Sequence, residues 1–171
     1  MRRLAAVLLM CAVAGCRGGD LPVTVEEPPA APPTPLRGPS LACESSGVRL
    51  PAMPGALTRA GSFGRLDSLR QPLEVKGLIW RESDERVYVG VVCGVRRAEE
   101  FATLVARSTL TAYKGRPALR WTTRTGLSNF MWLERPGTAV YIAATPGWAA
   151  QIRQIAAGVT PSPARSAGSA H

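Results

Sequence analysis

Between Arg86 and Val95 the chain reads RVYVGVVCGV, with Val87, Val89, Val91, Cys93 and Val95 at every second position. Strict alternation puts these side chains on one face of an extended strand, and that face must be buried against something. The demand spreads to the neighbouring segments. Leu73 to Trp80 (LEVKGLIW) reads as a second strand, and the polar RESDE between them suits a hairpin with its charges at the solvent-exposed tip. After the strand the period changes: Ala98, Phe101, Leu104, Val105 and Ser108 recur at steps of three and four, which predicts an amphipathic helix over Arg97 to Tyr113. Glu99 and Glu100 fall in its first turn, where they complement the helix dipole, and Gly115 with Pro117 ends it.

Three more strands follow, Ala118 to Thr123, Ser128 to Glu134 and Thr138 to Ala144, joined as a meander by the Gly-containing turns Arg124–Gly126 and Arg135–Gly137. Thr145 as N-cap and Pro146 at the first helical position open a last helix with Trp148, Ile152, Ile155, Ala156 and Val159 on one face and Gly158 at its end. Residues 48–70, rich in Gly and Pro, read mostly as loop, with room for an edge strand and a short turn of helix. The expected fold is therefore α+β: an antiparallel sheet of about five strands with two helices on one face.

The first forty residues differ in kind. Met1-Arg2-Arg3, the apolar run Leu4 to Ala14 and the small residues before Cys16 have the order of a secretory signal. The run is about 11 residues, whereas a spanning helix needs roughly 20. A chance cysteine after an ordinary leader, or a core helix, would explain the run alone; charge, length and position together favour a leader over residues 1–15, which takes Cys11 with it. Residues 17–40 carry seven prolines. Each fixes φ and removes a donor, so 16–40 read as a tether whose 24 residues after the cysteine reach roughly 70 Å in a polyproline conformation. Its PxxP spacing also fits a partner site, but a spacer is the commoner use. Residues 41–160 are left as a single domain and 161–171 as a disordered tail.

Val13-Ala14-Gly15-Cys16 resembles the lipobox of bacterial lipoproteins. The resemblance implies that Cys16 is the lipid-bearing first residue of the mature chain, with palmitate-type acyl chains holding it to the cell membrane on the extracytoplasmic face. Each buried methylene contributes about 0.8 kcal/mol, so two chains suffice for stable residence. Arg17 after the cysteine would favour the outer membrane in a Gram-negative host.

Export places Cys43 and Cys93 in an oxidising compartment, where an even pair is expected to form a disulfide rather than hold a metal; no CxxC spacing points to redox chemistry. No enzyme constellation emerges. The only histidine is His171, in the tail, and no phosphate-loop, dinucleotide or HExxH motif occurs. No cofactor and no metal site are expected. Paired carboxylates remain as candidates for an envelope-polymer hydrolase, Glu99 with Glu100 or Glu82 with Asp84 and Glu85, although helix-end electrostatics and a solvated hairpin tip account for them.

Charge is the global anomaly. Residues 41–160 hold 16 Lys/Arg against 9 Asp/Glu, a net of about +7. Arg107, Lys114, Arg116, Arg120 and Arg124 crowd one stretch and form a candidate anion-binding patch beside the bland reading of a solvated basic surface. Basic residues near a membrane attract anionic headgroups at about 1 kcal/mol each; anionic envelope polymers are the other candidate, while nucleic acid fits the charge but not the compartment. Trp121, Phe130 or Trp132, and Tyr141 lie on neighbouring strands and would line a ligand face or, more commonly, a core.

The segment Arg116 to Val159, with NFMWLERPG, AVYIAAT and QIRQIAAGV in order, resembles the closing module of small α+β envelope sensor domains associated with anti-sigma factors. The likeness covers about a quarter of the chain and implies the fold more than an activity. The expected function is a non-enzymatic, membrane-anchored binding or accessory module of the cell envelope, with an unknown envelope protein as a further partner.

Overall fold

The computed structural model describes residues 38–44 and 46–163. The expected leader, Cys16, most of the tether and His171 lie outside the described residues. Within them the chain is β-rich, which corrects the expected α+β fold of about five strands: there are ten strands in two antiparallel sheets of seven and three strands.

The expected strands form the middle of the large sheet. β4 (Val75–Glu82) and β5 (Glu85–Cys93) make a hairpin paired from Val75↔Val92 to Glu82↔Glu85, with Ser83 at φ 52° in its turn. β5 then pairs with β9 (Thr138–Ala144), and β9 with β8 (Ser128–Arg135). Every residue of β9 is buried. That is why TAVYIAA shows no alternation: a strand covered on both faces reads as an apolar run. β7 (Arg116–Thr122) and β6 (Thr109–Tyr113) complete one side, and β3 (Thr58–Phe63) the other. The small sheet joins distant segments, β1 (Ser40–Ala42), β2 (Ser46–Arg49) and β10 (Thr160–Pro163), in the order β1-β2-β10.

The predicted helix over Arg97–Tyr113 shrinks to α1, Ala98–Ala102. Thr103 ends it, its hydroxyl donating to the carbonyls of Glu100 at 3.1 Å and Glu99 at 3.4 Å, a local alternative to helix continuation. Beyond it, TLTAY is rich in residues that favour strands, and Lys114 (φ 50°) with Gly115 (φ 74°) forms the two-residue turn of the β6–β7 hairpin. Gly115 turns a hairpin here and does not end a helix. The period of three and four recorded burial all the same, since Phe101, Leu104 and Val105 are all in the core.

The last helix is also reorganised. Pro146–Gln151 is 3₁₀ and α2 spans Ile152–Gly158. Thr145 stands at the N-cap position with Pro146 directly after it, as expected, but its side chain makes no capping bond. Its hydroxyl instead donates to Glu85 Oε2, the same carboxylate oxygen that accepts the Gly147 N–H at 3.0 Å, while Glu82 Oε2 accepts Trp148 Nε1 at 3.0 Å. Glu82 and Glu85 of the β4–β5 hairpin therefore receive donors at the start of the 3₁₀ segment, where orphan N–H groups need acceptors.

The two helices pack on opposite faces of the seven-stranded sheet, not on one. One core holds Val87, Val89, Val91, Phe130, Trp132, Val140 and Ile142, covered by Val48 and Leu50 of the small-sheet segment and by Ile152, Ile155 and Ala156 of α2. The other holds Val92, Leu119, Trp121, Met131, Ala139 and Tyr141, covered by α1's Phe101 and by Leu104 and Val105. Val95 departs from the alternating set: β5 ends at Cys93, Gly94 turns the backbone at φ 99°, and Val95 joins the second core. A disulfide links Cys43 to Cys93 across 50 residues and fastens the small sheet to β5. On the second face Gly77 and Gly90 sit opposite one another in β4 and β5 beneath Phe63; a Cβ on Gly77 would lie 2.1 Å from the Phe63 ring.

Candidate anion-binding groove

The register decides which side chains share the first face at the outer strands. Thr109 lies opposite Arg120, Arg120 opposite Phe130, Thr122 opposite Ser128, and Thr111 opposite Ala118. Phe130 and Ala118 belong to the first core, so all of these side chains face the α2 side of the sheet. α2 covers β8 and β9 there, and its Ile152 and Arg153 form one wall of a groove whose floor is β6 to β8. The groove encloses about 580 Å³, within the usual 300–1,000 Å³ of ligand clefts.

Its lining is basic and hydroxylated. Arg107, Arg120 and Arg153 line it with Thr109, Thr111, Thr122 and Ser128, and no acidic side chain among the described residues does. Among the described residues none of these arginines takes part in an ion pair. Arg153 is positioned without being neutralised: its guanidinium stands 4.9 Å from the Phe130 ring centre and 5.6 Å from that of Tyr113, cation–π distances that fix a cation and leave its N–H donors free. Guanidinium forks with hydroxyl donors suit phosphate, sulfate or carboxylate oxygens.

Of the five basic residues expected to form one patch, the structure brings Arg107 and Arg120 together and separates the others. Arg116 is committed to Glu134, Nη1 to Oε2 at 2.5 Å, with the Glu134 side chain 5 % exposed. That carboxylate oxygen also accepts from Trp132 Nε1 at 2.8 Å. Lys114 sits at the β6–β7 turn, 5.3 Å from the Tyr113 ring centre, and donates to the Ala157 carbonyl at 3.4 Å. Arg124 is exposed at the β7–β8 connection, outside the groove lining. Arg153 lies outside the contiguous basic stretch that marks the patch in the sequence. Its signal was present in QIRQIAAG, where it follows the buried Ile152 and occupies an exposed position of the helix.

The aromatic strip divides between the cores. Trp121 and Tyr141 lie on the second face, Phe130 and Trp132 on the first. A buried polar chain stiffens the sheet behind the groove: Tyr141 Oη donates to Asn129 Oδ1 at 2.7 Å, and Asn129 Nδ2 donates to the carbonyls of Leu127 at 2.7 Å and Trp121 at 3.3 Å. Burial, and secondarily the charge of Tyr88, raises the Tyr141 pKa far above the ordinary tyrosine value.

The carboxylates considered for acid–base work are placed elsewhere. Glu82 and Glu85 anchor the 3₁₀ segment, and Glu100 accepts from Gln71 at 3.2 Å on an exposed surface. Glu44 and Glu74 line a smaller pocket of about 200 Å³ beside the disulfide, with Arg96. No group of three or more His, Cys, Asp or Glu side chains suited to a metal occurs among the described residues. No helix among them is long and apolar enough to cross a membrane. Comparisons with protein-family models, curated proteins and solved structures found no match.

Proposed function

We propose that this chain is a membrane-anchored, extracytoplasmic lipoprotein, tethered through Cys16, whose folded domain is a non-enzymatic binding module for an anionic component of the cell envelope. The observation that carries the reading is the groove, where Arg107, Arg120 and Arg153 have no ion-pair partner among the described residues and stand beside four hydroxyl side chains. An uncompensated cluster of like charges raises the energy of the free protein and is relieved when an anion enters. The proline-rich stretch between Cys16 and the start of β1, if it serves as a tether, would let such a module sample partners away from its anchor.

The test is titration of the full chain, in neutral detergent, with polyphosphate and with polyglutamate at low and high salt. Expected is binding that weakens as salt rises and falls at least about tenfold when Arg107, Arg120 and Arg153 are together changed to Glu, the scale of one lost charge-assisted contact. Unchanged binding by that variant would remove the groove from the proposal. The anchor has its own test, in which mass spectrometry of the native product finds diacylglycerol on Cys16; an unmodified thiol there would refute it. The pairing of Glu44 with Glu74 in one pocket favours a second reading, an envelope-polymer hydrolase. It ranks lower because Glu74 already pairs with Lys76 at 3.0 Å and the pocket is smaller than most substrate clefts.

A further inference from the structure

Four strands are edges of the two sheets, and three of them carry features that discourage further pairing. β3 has a register break between Arg59 and Gly61 and a charged residue in the strand. β1 is three residues long. β10 contains Pro161 and Pro163, which have no N–H to offer. β6 differs: its sequence Thr109-Leu110-Thr111-Ala112-Tyr113 has no proline, glycine or charge, and its pairing with β7 runs without a shift. Among the described residues no strand pairs with its outer side, which offers backbone donors and acceptors. Leu110 lies on the face away from the groove and is 56 % exposed, the one large apolar side chain so exposed among the described residues.

The unprotected edge and the arginine groove adjoin. Thr109 and Thr111 of β6 form the groove's outer lip, and Arg120 lies directly opposite Thr109, one strand further in. A strand added outside β6 would continue both faces. Its alternate side chains would point toward Arg107, Arg120 and Arg153 on one side and flank Leu110 on the other. Charge selects the occupant. A second copy paired through β6 would set one arginine cluster against another, which like-charge repulsion opposes. An acidic strand neutralises them.

From this juxtaposition we infer that β6 is a strand-addition site for an extended segment of a partner protein in which acidic and apolar residues alternate. Backbone pairing with β6 supplies affinity, and the arginine groove supplies the choice of sequence. The inference rests on the anion-binding reading of the same groove and names its ligand class.

The decisive probe is a short capped peptide of alternating glutamate and valine, titrated into the full chain. Three controls accompany it: the same peptide N-methylated on alternate amides, its lysine counterpart, and polyphosphate. The expected result is saturable binding of the glutamate peptide with slowed hydrogen exchange at the β6 amides not bonded to β7. Arg120→Glu should weaken it about tenfold; the N-methylated and lysine peptides should bind at least that much more weakly. Equal binding of the N-methylated peptide would overturn strand addition, since charge would then suffice. Arginine-dependent binding of polyphosphate without binding of the peptide would overturn this inference and leave the anion-binding function standing, whereas binding of neither would remove both.

Discussion

The two faces of the seven-stranded sheet are buried by different means. The first is covered by regular structure: a second sheet, fastened to β5 by a disulfide, and α2. The second is covered by α1 and a largely irregular segment, whose backbone ties include the Leu69–Val105 bridge and the Arg70 N–H to Leu104 carbonyl bond at 2.8 Å. Yet the irregular cover includes α1 against β7, while the regular one leaves the outer strands open beside α2. Coverage and regularity are separable here, and the opening arises where the better-organised cover falls short.

If the second cover depends on side-chain burial more than on backbone pairing, removing its central residue should have the largest effect. Phe101 is fully buried in that core, and Phe101→Ala is expected to destabilise the fold by about 3–5 kcal/mol, read from urea unfolding. A loss under about 1 kcal/mol would mean that the irregular cover collapses into the vacated space and that the contrast between the faces is wrong. The first face should be sensitive to its covalent tie. Cys43→Ser with Cys93→Ser opens a 50-residue loop, for which chain entropy predicts a loss of up to about 4 kcal/mol. Hydrogen exchange should then accelerate in β1 and β2 before β8 and β9; uniform acceleration would show that the small sheet and the large one open together.

The smallest effect concerns the polar chain behind the groove. Tyr141→Phe leaves Asn129 Oδ1 without its donor and should cost about 1–3 kcal/mol at neutral pH. Because burial raises the folded pKa of Tyr141, its neutral phenol contributes stability that is fully present below the ordinary tyrosine value near 10 and is lost as pH rises from there toward the folded value. The gap between wild type and variant should therefore narrow in alkaline buffer. A constant gap would place the origin of alkaline destabilisation elsewhere.

The sequence displayed the large sheet's centre well, because alternation in β5 and turn chemistry at Ser83 and Gly137 are local signals. It hid what depends on distant partners. PSP at 161–163 reads as tail, yet β2 offers it a partner more than a hundred residues earlier. The apolar period marked Phe101, Leu104 and Val105 for burial correctly, though Ala98 at its start is exposed, but a chain folded over a sheet meets the same demand as a helix, so period alone misassigned it. The groove was half legible for a similar reason. Arg107 and Arg120 are neighbours through a hairpin, while Arg153 reaches them only through the docking of α2.

β2 has consequences for the order of assembly. One of its neighbours, β1, is a few residues away in sequence, but the other is β10. During synthesis the segment 46–49 must wait, with one side unsatisfied, until residues 160–163 arrive. Such a late closure lengthens the search for the native topology, and it would keep the nascent chain pliable until nearly all of the domain has been made.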